Sequence, residues 1–368
     1  MGELTTRDGP IGWGIIGCGV VADGFASDLR SLPEARLVAV TSRSEERAQR
    51  FADRHGALRC HARAEDLVSD PDVDVVYVAT PNHRHLPDSL LCLSNGKPVL
   101  CEKPFAMNAA EVREIVDEAR ARGLFCMEAM WMRFIPAVRE AVDLIRRGTI
   151  GEIRTVHADF SVNVAFDPTS RLFDPSMGGG ALLDLGVYAV SLADLLLGPP
   201  VHVAATSAMA PTGVDLSTAA LLRDAQGRTA LLSVALGSVG PNEALIAGDG
   251  GTIRLHGPIC APPAFEVSRR PATTAPAPDD PPTERVRRLV RASPALTRAA
   301  RATRSLAARN TRRHRVKKHG HGFAHEALEV MRCLREGEPE SPIMRLDDSV
   351  RIAGTVDAIR TAAAGAAS

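Results

Sequence analysis

The sequence has no excess charge of either sign. Its 44 Lys and Arg are matched by 44 Asp and Glu, so a whole-protein electrostatic grip on nucleic acid is not expected. It lacks a run of eighteen apolar residues, so no membrane span is expected. Residues 1–10 are polar and carry Glu3, Arg7 and Asp8. The basic segment and apolar core of a secretory signal are missing there, and a cytoplasmic protein is expected. Internal repeats are missing as well. The seven cysteines, Cys18, Cys60, Cys92, Cys101, Cys126, Cys260 and Cys333, include no Cys-x-x-Cys pair. That spacing points to reduced core thiols rather than to a disulfide frame or a zinc site. What is present is a 368-residue chain with 45% hydrophobic and 24% charged residues. This is the composition of a soluble globular protein, long enough for two domains and a large core.

The first third alternates short apolar runs with amphipathic stretches. Runs at 11–16, 36–41, 73–79, 99–101 and 124–127 are rich in Val, Ile and Leu without polar alternation, as strands buried on both faces are. The clearest helix between them starts at Asn108, with Glu111 completing a capping pair, and stops at Gly123. Strand, helix and strand repeated in this way predict an α/β fold with a parallel sheet. After about residue 150 the pattern changes. Strands are expected at 152–160, 201–208, 219–223, 229–234, 243–247 and 251–255, separated by turns such as Ala225-Gln226-Gly227. Helices are expected at 325–335 and 347–363. The second part thus reads as an α+β domain with a large, open, mostly antiparallel sheet. Domains are expected at 1–128 and 129–368, with a Pro-rich and basic insertion at about 262–318. From Arg285 to Lys318 the chain carries thirteen Lys or Arg and no acid. That stretch reads as an exposed, helical insertion: a solvated surface element, or a patch for a partner of unknown kind.

Gly17-Cys18-Gly19-Val20-Val21-Ala22 directly follows the first strand and opens a helix. Gly17 permits a tight turn, Gly19 leaves room for a pyrophosphate, and Ala22 allows close helix–strand packing. The phosphates would rest on free N–H groups at the positive end of the helix. The second strand ends in Thr41-Ser42-Arg43-Ser44, with Arg47 following. An acid there would hold a ribose 2′-hydroxyl. Arg43 and Arg47 instead suit a 2′-phosphate, so NADP(H) is expected over NAD(H). Thr80-Pro81-Asn82-His83-Arg84-His85 follows the strand at 73–79 and would face the same crevice, where Asn82 and His85 could hydrogen-bond the ribose or nicotinamide half. No carboxylate or cysteine joins these histidines at ligand spacing, so no metal is expected. Cys101-Glu102-Lys103-Pro104 places a lysine at the next strand end, able to donate to a substrate oxygen. In Asp184-Leu185-Gly186-Val187-Tyr188, helical spacing would put Asp184 and Tyr188 on one face. A lysine ammonium near Tyr188 would make its phenolate more accessible for proton exchange with a substrate hydroxyl.

Taken together, Gly17-x-Gly19-x-x-Ala22, Thr80-Pro81-Asn82-x-x-His85, Glu102-Lys103-Pro104 and Asp184-x-Gly186-x-Tyr188 resemble the glucose–fructose oxidoreductase/inositol dehydrogenase family. Glu128-Ala129-Met130-Trp131-Met132-Arg133-Phe134-x-Pro136 and Arg171-Leu172-Phe173-Asp174-Pro175 look most like its trans-dihydrodiol dehydrogenase and glucose–fructose oxidoreductase branch. The resemblance covers about residues 10–260 and 320–362. It implies an N-terminal Rossmann sheet, a nicotinamide coenzyme, and an open second sheet used for contacts in a homodimer or homotetramer. It also implies Lys103 in the crevice before a cis Pro104, Tyr188 as the proton-transfer residue, and arginines at 43 and 47 accompanying NADP. The coenzyme site would comprise Gly17, Cys18, Gly19, Val20, Val21, Ser42, Arg43, Arg47, Thr80, Pro81, Asn82, His85, Glu102 and Lys103. Lys103, Asp184 and Tyr188 would be catalytic, and Trp131, Arg133 and Arg171 would line the substrate pocket. The implied reaction is hydride transfer with a secondary alcohol or ketone of a sugar or cyclic diol. Two other readings are a noncatalytic NADP-binding regulator and a redox-assisted glycoside hydrolase.

Overall fold

A computed structural model of the protein describes residues 9–269 and 311–366. The Pro-rich stretch 271–282 and residues 285–310 of the basic stretch lie outside the described residues. Short, doubly buried runs form the first sheet: β1 (Ile11–Ile16), β2 (Ala35–Thr41), β3 (Arg59–His61), β4 (Val75–Val78), β5 (Val99–Glu102) and β6 (Cys126–Ala129). Their order is β3-β2-β1-β4-β5-β6, and every pair is parallel. The helices α1 (Val20–Leu29), α2 (Glu45–His55), α3 (Ala64–Ser69), α4 (His85–Ser94) and α5 (Ala109–Arg122) connect the strands. The chain winds outward from β1 to β3 and then returns to β4, so a crevice opens beyond the carboxyl ends of β1 and β4. Asn108 caps α5 as expected, its Oδ1 accepting from the N–H groups of Ala110 and Glu111 at 3.0 Å each. Strand β3 escaped the sequence pattern because its three residues are too few, and too polar, to show a period.

After α6 (Pro136–Arg146) comes the second sheet: β7 (Ile153–Ser161), β8 (His202–Met209), β9 (Asp215–Arg223), β10 (Thr229–Ala235), β11 (Ala244–Gly248), β12 (Gly251–Leu255), β13 (Ala264–Arg269) and β14 (Thr311–Arg315). The order is β14-β13-β12-β11-β7-β10-β9-β8. All neighbours are antiparallel except β7 and β10. Burial alternates along β9 and β10, because one face packs on α7 (Val187–Leu197) and the other stays open. The end of the basic stretch corrects the helical expectation. Residues 311–315 pair with β13, where His314 stacks on Phe265 with ring centroids 4.5 Å apart. The main-chain groups left at the β13 edge decide this local contest. The insertion therefore begins after β13 rather than near 262. The chain closes with α8 (Ala324–Glu336), packed on α1, and α9 (Leu346–Ala366), packed on α5 and α7.

The stretch Pro175–Leu197 is long and apolar enough to cross a membrane, but its most apolar window is 83% buried inside the protein, as a core helix is.

Candidate active site

The crevice at the β1–β4 switch is a cavity of about 900 Å³. Gly17 has φ +102°, and a Cβ there would lie 2.5 Å from the Ala79 carbonyl oxygen, so the turn can close against β4 only with glycine. A Cβ on Gly19 would meet nothing within 4 Å, which leaves the cradle open. Gly19 caps α1 without any side-chain hydrogen bond. The first N–H groups of this ten-residue helix are thus free for an anion. Val20, 91% exposed, stands uncovered at the same spot. At the tip of β2, Ser44 caps α2 by accepting from the N–H of Arg47 at 3.3 Å. Ser42, Arg43 and Arg47 line the crevice, and among the described residues neither arginine is drawn into an ion pair. This lining suits a dinucleotide whose pyrophosphate sits at α1 and whose ribose lies beside β2.

The loop after β4 departs from expectation. Thr80, Pro81, Asn82 and His85 border the crevice, but His85 offers it no free ring nitrogen. Its Nδ1 and Nε2 lie 2.7 Å from the carbonyl oxygens of Pro104 and Thr80. Burial holds its pKa below the ordinary histidine value. The neutral ring carries one N–H, and placed on Nδ1 it donates to the Pro104 carbonyl and ties two crevice loops together. Asn82 donates through Nδ2 to the Gly178 carbonyl at 3.0 Å, joining this loop to the glycine run of the second half.

Lys103 projects from the end of β5, before a cis Pro104. Its Nζ donates to the Asp184 carbonyl at 2.9 Å and reaches Asp184 Oδ1 at 3.4 Å. It lies 5.0 Å from the centroid of the Tyr188 ring. The lysine, the aspartate and the tyrosine thus meet, although 81 residues separate Lys103 from Asp184 in sequence. Burial alone would raise the Asp184 carboxyl. Lys103 and then Arg171, whose Nη1 is 3.4 Å away, outweigh burial and hold it below its ordinary value. The backbone carrying Asp184 is a π-helical turn, Leu182–Gly186, leading into α7. The regular helical spacing expected from sequence does not hold there. Asp215 of β9 fixes the turn by accepting from the Leu182 N–H at 2.8 Å. Gly180, at φ +111°, makes the bend before it. The glycine run signals that bend, but nothing in the sequence points to Asp215.

Tyr188 also corrects the expected phenolate. Burial, followed by the fields of Cys260 and Glu102, pushes its pKa well above the ordinary value. The ammonium faces the ring, and the hydroxyl oxygen instead accepts from Trp131 Nε1 at 2.7 Å. The group is a neutral phenol whose own hydrogen meets no acceptor among the described residues. Trp131 stacks on Phe323 at 4.8 Å, which fixes its ring. Arg171 stands at the crevice mouth. Arg133 does not reach it. That residue is 1% exposed and binds Ser191, Asp194 and Asp348, because a buried guanidinium must be paired. Glu102 is buried and accepts from the Tyr77 hydroxyl and from the Lys103 N–H. Arg63 and Arg84 line the crevice without having been singled out in the sequence. Among the described residues no group of three His, Cys, Asp or Glu could hold a metal ion.

A family profile described as an oxidoreductase family with an NAD-binding Rossmann fold matches residues 11–130. The C-terminal domain profile of the GFO/IDH/MocA family matches residues 138–254. The chain is 34% identical over 354 residues to trans-1,2-dihydrobenzene-1,2-diol dehydrogenase of Bos taurus, a match covering 95% of this chain and 96% of that one. To the Homo sapiens protein of the same name it is 33% identical over 360 residues, with the same coverage of 95% and 96%. A solved 3-ketoreductase from Actinomadura kijaniata, in complex with NADP and TDP-benzene, is similar with a TM-score of 0.77 at 28% identity, covering 96% of this chain and 98% of that one.

Proposed function

The chain belongs to the GFO/IDH/MocA family and is an NAD(P)-dependent oxidoreductase acting on CH–OH groups, and from that premise we propose that it moves a hydride between NADP(H) and a secondary alcohol or ketone of a cyclic diol or sugar. The observation that carries this reading is the meeting of Lys103 and Asp184, which line the crevice, with the buried ring of Tyr188 behind them. Bound in the crevice, the nicotinamide supplies or accepts the hydride. The protein's residues manage the oxygen and its proton. Asp184 holds the ammonium of Lys103 in place. That cation polarises a substrate carbonyl and stabilises the oxygen as charge grows on it. The Tyr188 hydroxyl, with its oxygen fixed by Trp131, donates the proton in reduction and takes it back in oxidation. Because its pKa is raised, Tyr188 stays protonated through neutral pH, which favours the donor role.

Arg43 and Arg47 support NADP(H), since they stand where a carboxylate would otherwise meet the ribose. The solved ketoreductase, described with NADP, agrees with that choice. The names of the relatives, a dihydrobenzene-diol dehydrogenase and a 3-ketoreductase, favour a cyclic diol or a ketone. The open face of the second sheet, with Leu231 40% exposed, suits contact between copies in a homodimer or homotetramer. The test is turnover of cyclic diols, sugars and nucleotide-linked ketosugars followed by NADPH absorbance. Tyr188→Phe should lower kcat by about 10²–10⁴-fold while NADPH binding, read by fluorescence, stays unchanged. Full turnover in that variant would remove Tyr188 from the chemistry.

A further inference from the structure

Glu128 is buried at the carboxyl end of β6, where the sheet register sets it beside Cys101 of β5. After β5 the chain makes the turn Lys103-Pro104-Phe105. Three buried side chains hold the main chain of that turn. The Lys103 N–H donates to Glu102 Oε2 at 3.1 Å. The Pro104 carbonyl accepts from His85 Nδ1 at 2.7 Å. The Phe105 N–H donates to Glu128 Oε1 at 3.2 Å. Glu102 and His85 also border the crevice, whereas Glu128 does not. Its second oxygen has no hydrogen-bond partner among the described residues, and neither has Ser349 Oγ. Both residues border a small cavity of about 10 Å³, room for a single water.

We propose that Glu128 is a positioning residue for Lys103: through the Phe105 N–H it fixes the turn from which the ammonium projects, without touching substrate or coenzyme. The proposal rests on the reading of Lys103 as the polarising cation. A lysine on a four-carbon stem has many rotamers, and its direction is set at its two ends. Asp184 holds the ammonium and the clamped turn holds the Cα. A carboxylate accepting an N–H makes a stronger bond than a neutral carboxyl does. The groups facing Glu128 are Cys101 and Glu102 from β5, Arg133 from the turn after β6, and Ser349 of α9, with Asp357 of α9 across the cavity. Burial, opposed by the Arg133 guanidinium and the Phe105 N–H, pushes the Glu128 carboxyl up to about 7. As pH falls through that value the carboxylate takes a proton, its bond to Phe105 weakens, and turnover declines.

The test compares Glu128→Leu, which removes the acceptor, with Glu128→Gln, which keeps an oxygen that does not titrate. Glu128→Leu should lower kcat about tenfold to a hundredfold, with coenzyme affinity changed by no more than about twofold. It should also speed amide exchange at Phe105 in the coenzyme-free protein. Glu128→Gln should restore most of the turnover and lose the acid limb near pH 7. Unchanged Phe105 exchange in Glu128→Leu overturns the proposal whatever the turnover. If that variant fails to fold, an acid limb in Glu128→Gln identical to the wild type overturns it. A wild-type protein that turns over none of the diols or sugars, with Phe105 exchange faster in Glu128→Leu, would sink the redox reading and leave the clamp standing.

Discussion

On the β1–β6 sheet, the crevice is lined from within a few residues of strand carboxyl ends: Gly17 after β1, Arg43 after β2, Thr80 after β4 and Lys103 after β5. In the second half, Asp184 and Tyr188 sit on a π-helical turn and the helix that follows it. Distant groups hold them there, namely Asp215 of β9, Trp131 and the Lys103 ammonium. The first arrangement follows from strand geometry, because every parallel strand delivers its last residues to one edge. The second depends on tertiary contacts. The coenzyme half should therefore tolerate disturbance of the catalytic half, and the catalytic half should be the more fragile in turnover.

Two glycines put that difference to the sharpest test. Gly17→Ala sets a Cβ against the main chain of Ala79 at a positive φ, where the strain costs about 1–3 kcal/mol and the neighbour cannot yield. It should abolish coenzyme binding and turnover together. Gly180→Ala also carries a positive φ, and its Cβ would meet the Asp215 carboxylate that holds the π turn. It should cost kcat about 10²-fold and leave NADPH fluorescence titration near normal. Equal loss of binding in both variants would erase the distinction between the halves.

The charge at the β2 tip sharpens the comparison at smaller scale. Charge-assisted hydrogen bonds of the kind Arg43 and Arg47 would make to a 2′-phosphate are worth about 1.5–3 kcal/mol each. Arg43→Ala should therefore raise the KM for NADPH by tenfold or more, on the order of that energy, and leave the KM for NADH and the saturated kcat unchanged. A wild-type preference for NADH would refute the assignment of the arginines. This effect should stay within the coenzyme half.

The same contrast governs how much could be read from sequence. The turn at Gly17, the arginines at 43 and 47, and Lys103 were legible because their neighbours in sequence are their neighbours in space. The cap at Asn108 was legible for that reason too. His85 was placed in the right loop but given the wrong partners, since its acceptors include a carbonyl from the next crevice loop. Arg133 lies beside Trp131 in sequence, yet the chain turns it inward to Asp194 and Asp348. The Tyr188 phenolate failed because proximity to a lysine says nothing of burial, and burial dominates here. Strands β13 and β14 pair across 43 residues at Ser268 and Thr311, a separation that no local pattern signals.

The smallest effect concerns stability, and it has opposite signs at Glu326, near Glu102 of β5, and at Asp184. Glu326 of α8 is buried near Glu102 and Asp28, and neither carboxyl oxygen finds a hydrogen-bond partner among the described residues. Burial first, and then those two acids, push its pKa well above the ordinary value. A carboxyl raised in the folded state contributes stability that is whole below its unfolded pKa and lost as pH rises through the folded one. Asp184, held low by Lys103 and Arg171 against its burial, does the reverse, and its contribution is lost only as pH falls through its folded value. Glu326→Met should thus gain about 1–3 kcal/mol at pH 8 and little at pH 4, seen as a melting temperature that falls less with rising pH than that of the wild type. Asp184→Asn should lose stability at pH 8 and little at the acid end. Parallel pH profiles for Glu326→Met and the wild type would mean that Glu326 finds a partner in solution, and the fold would then carry no alkaline burden from that residue.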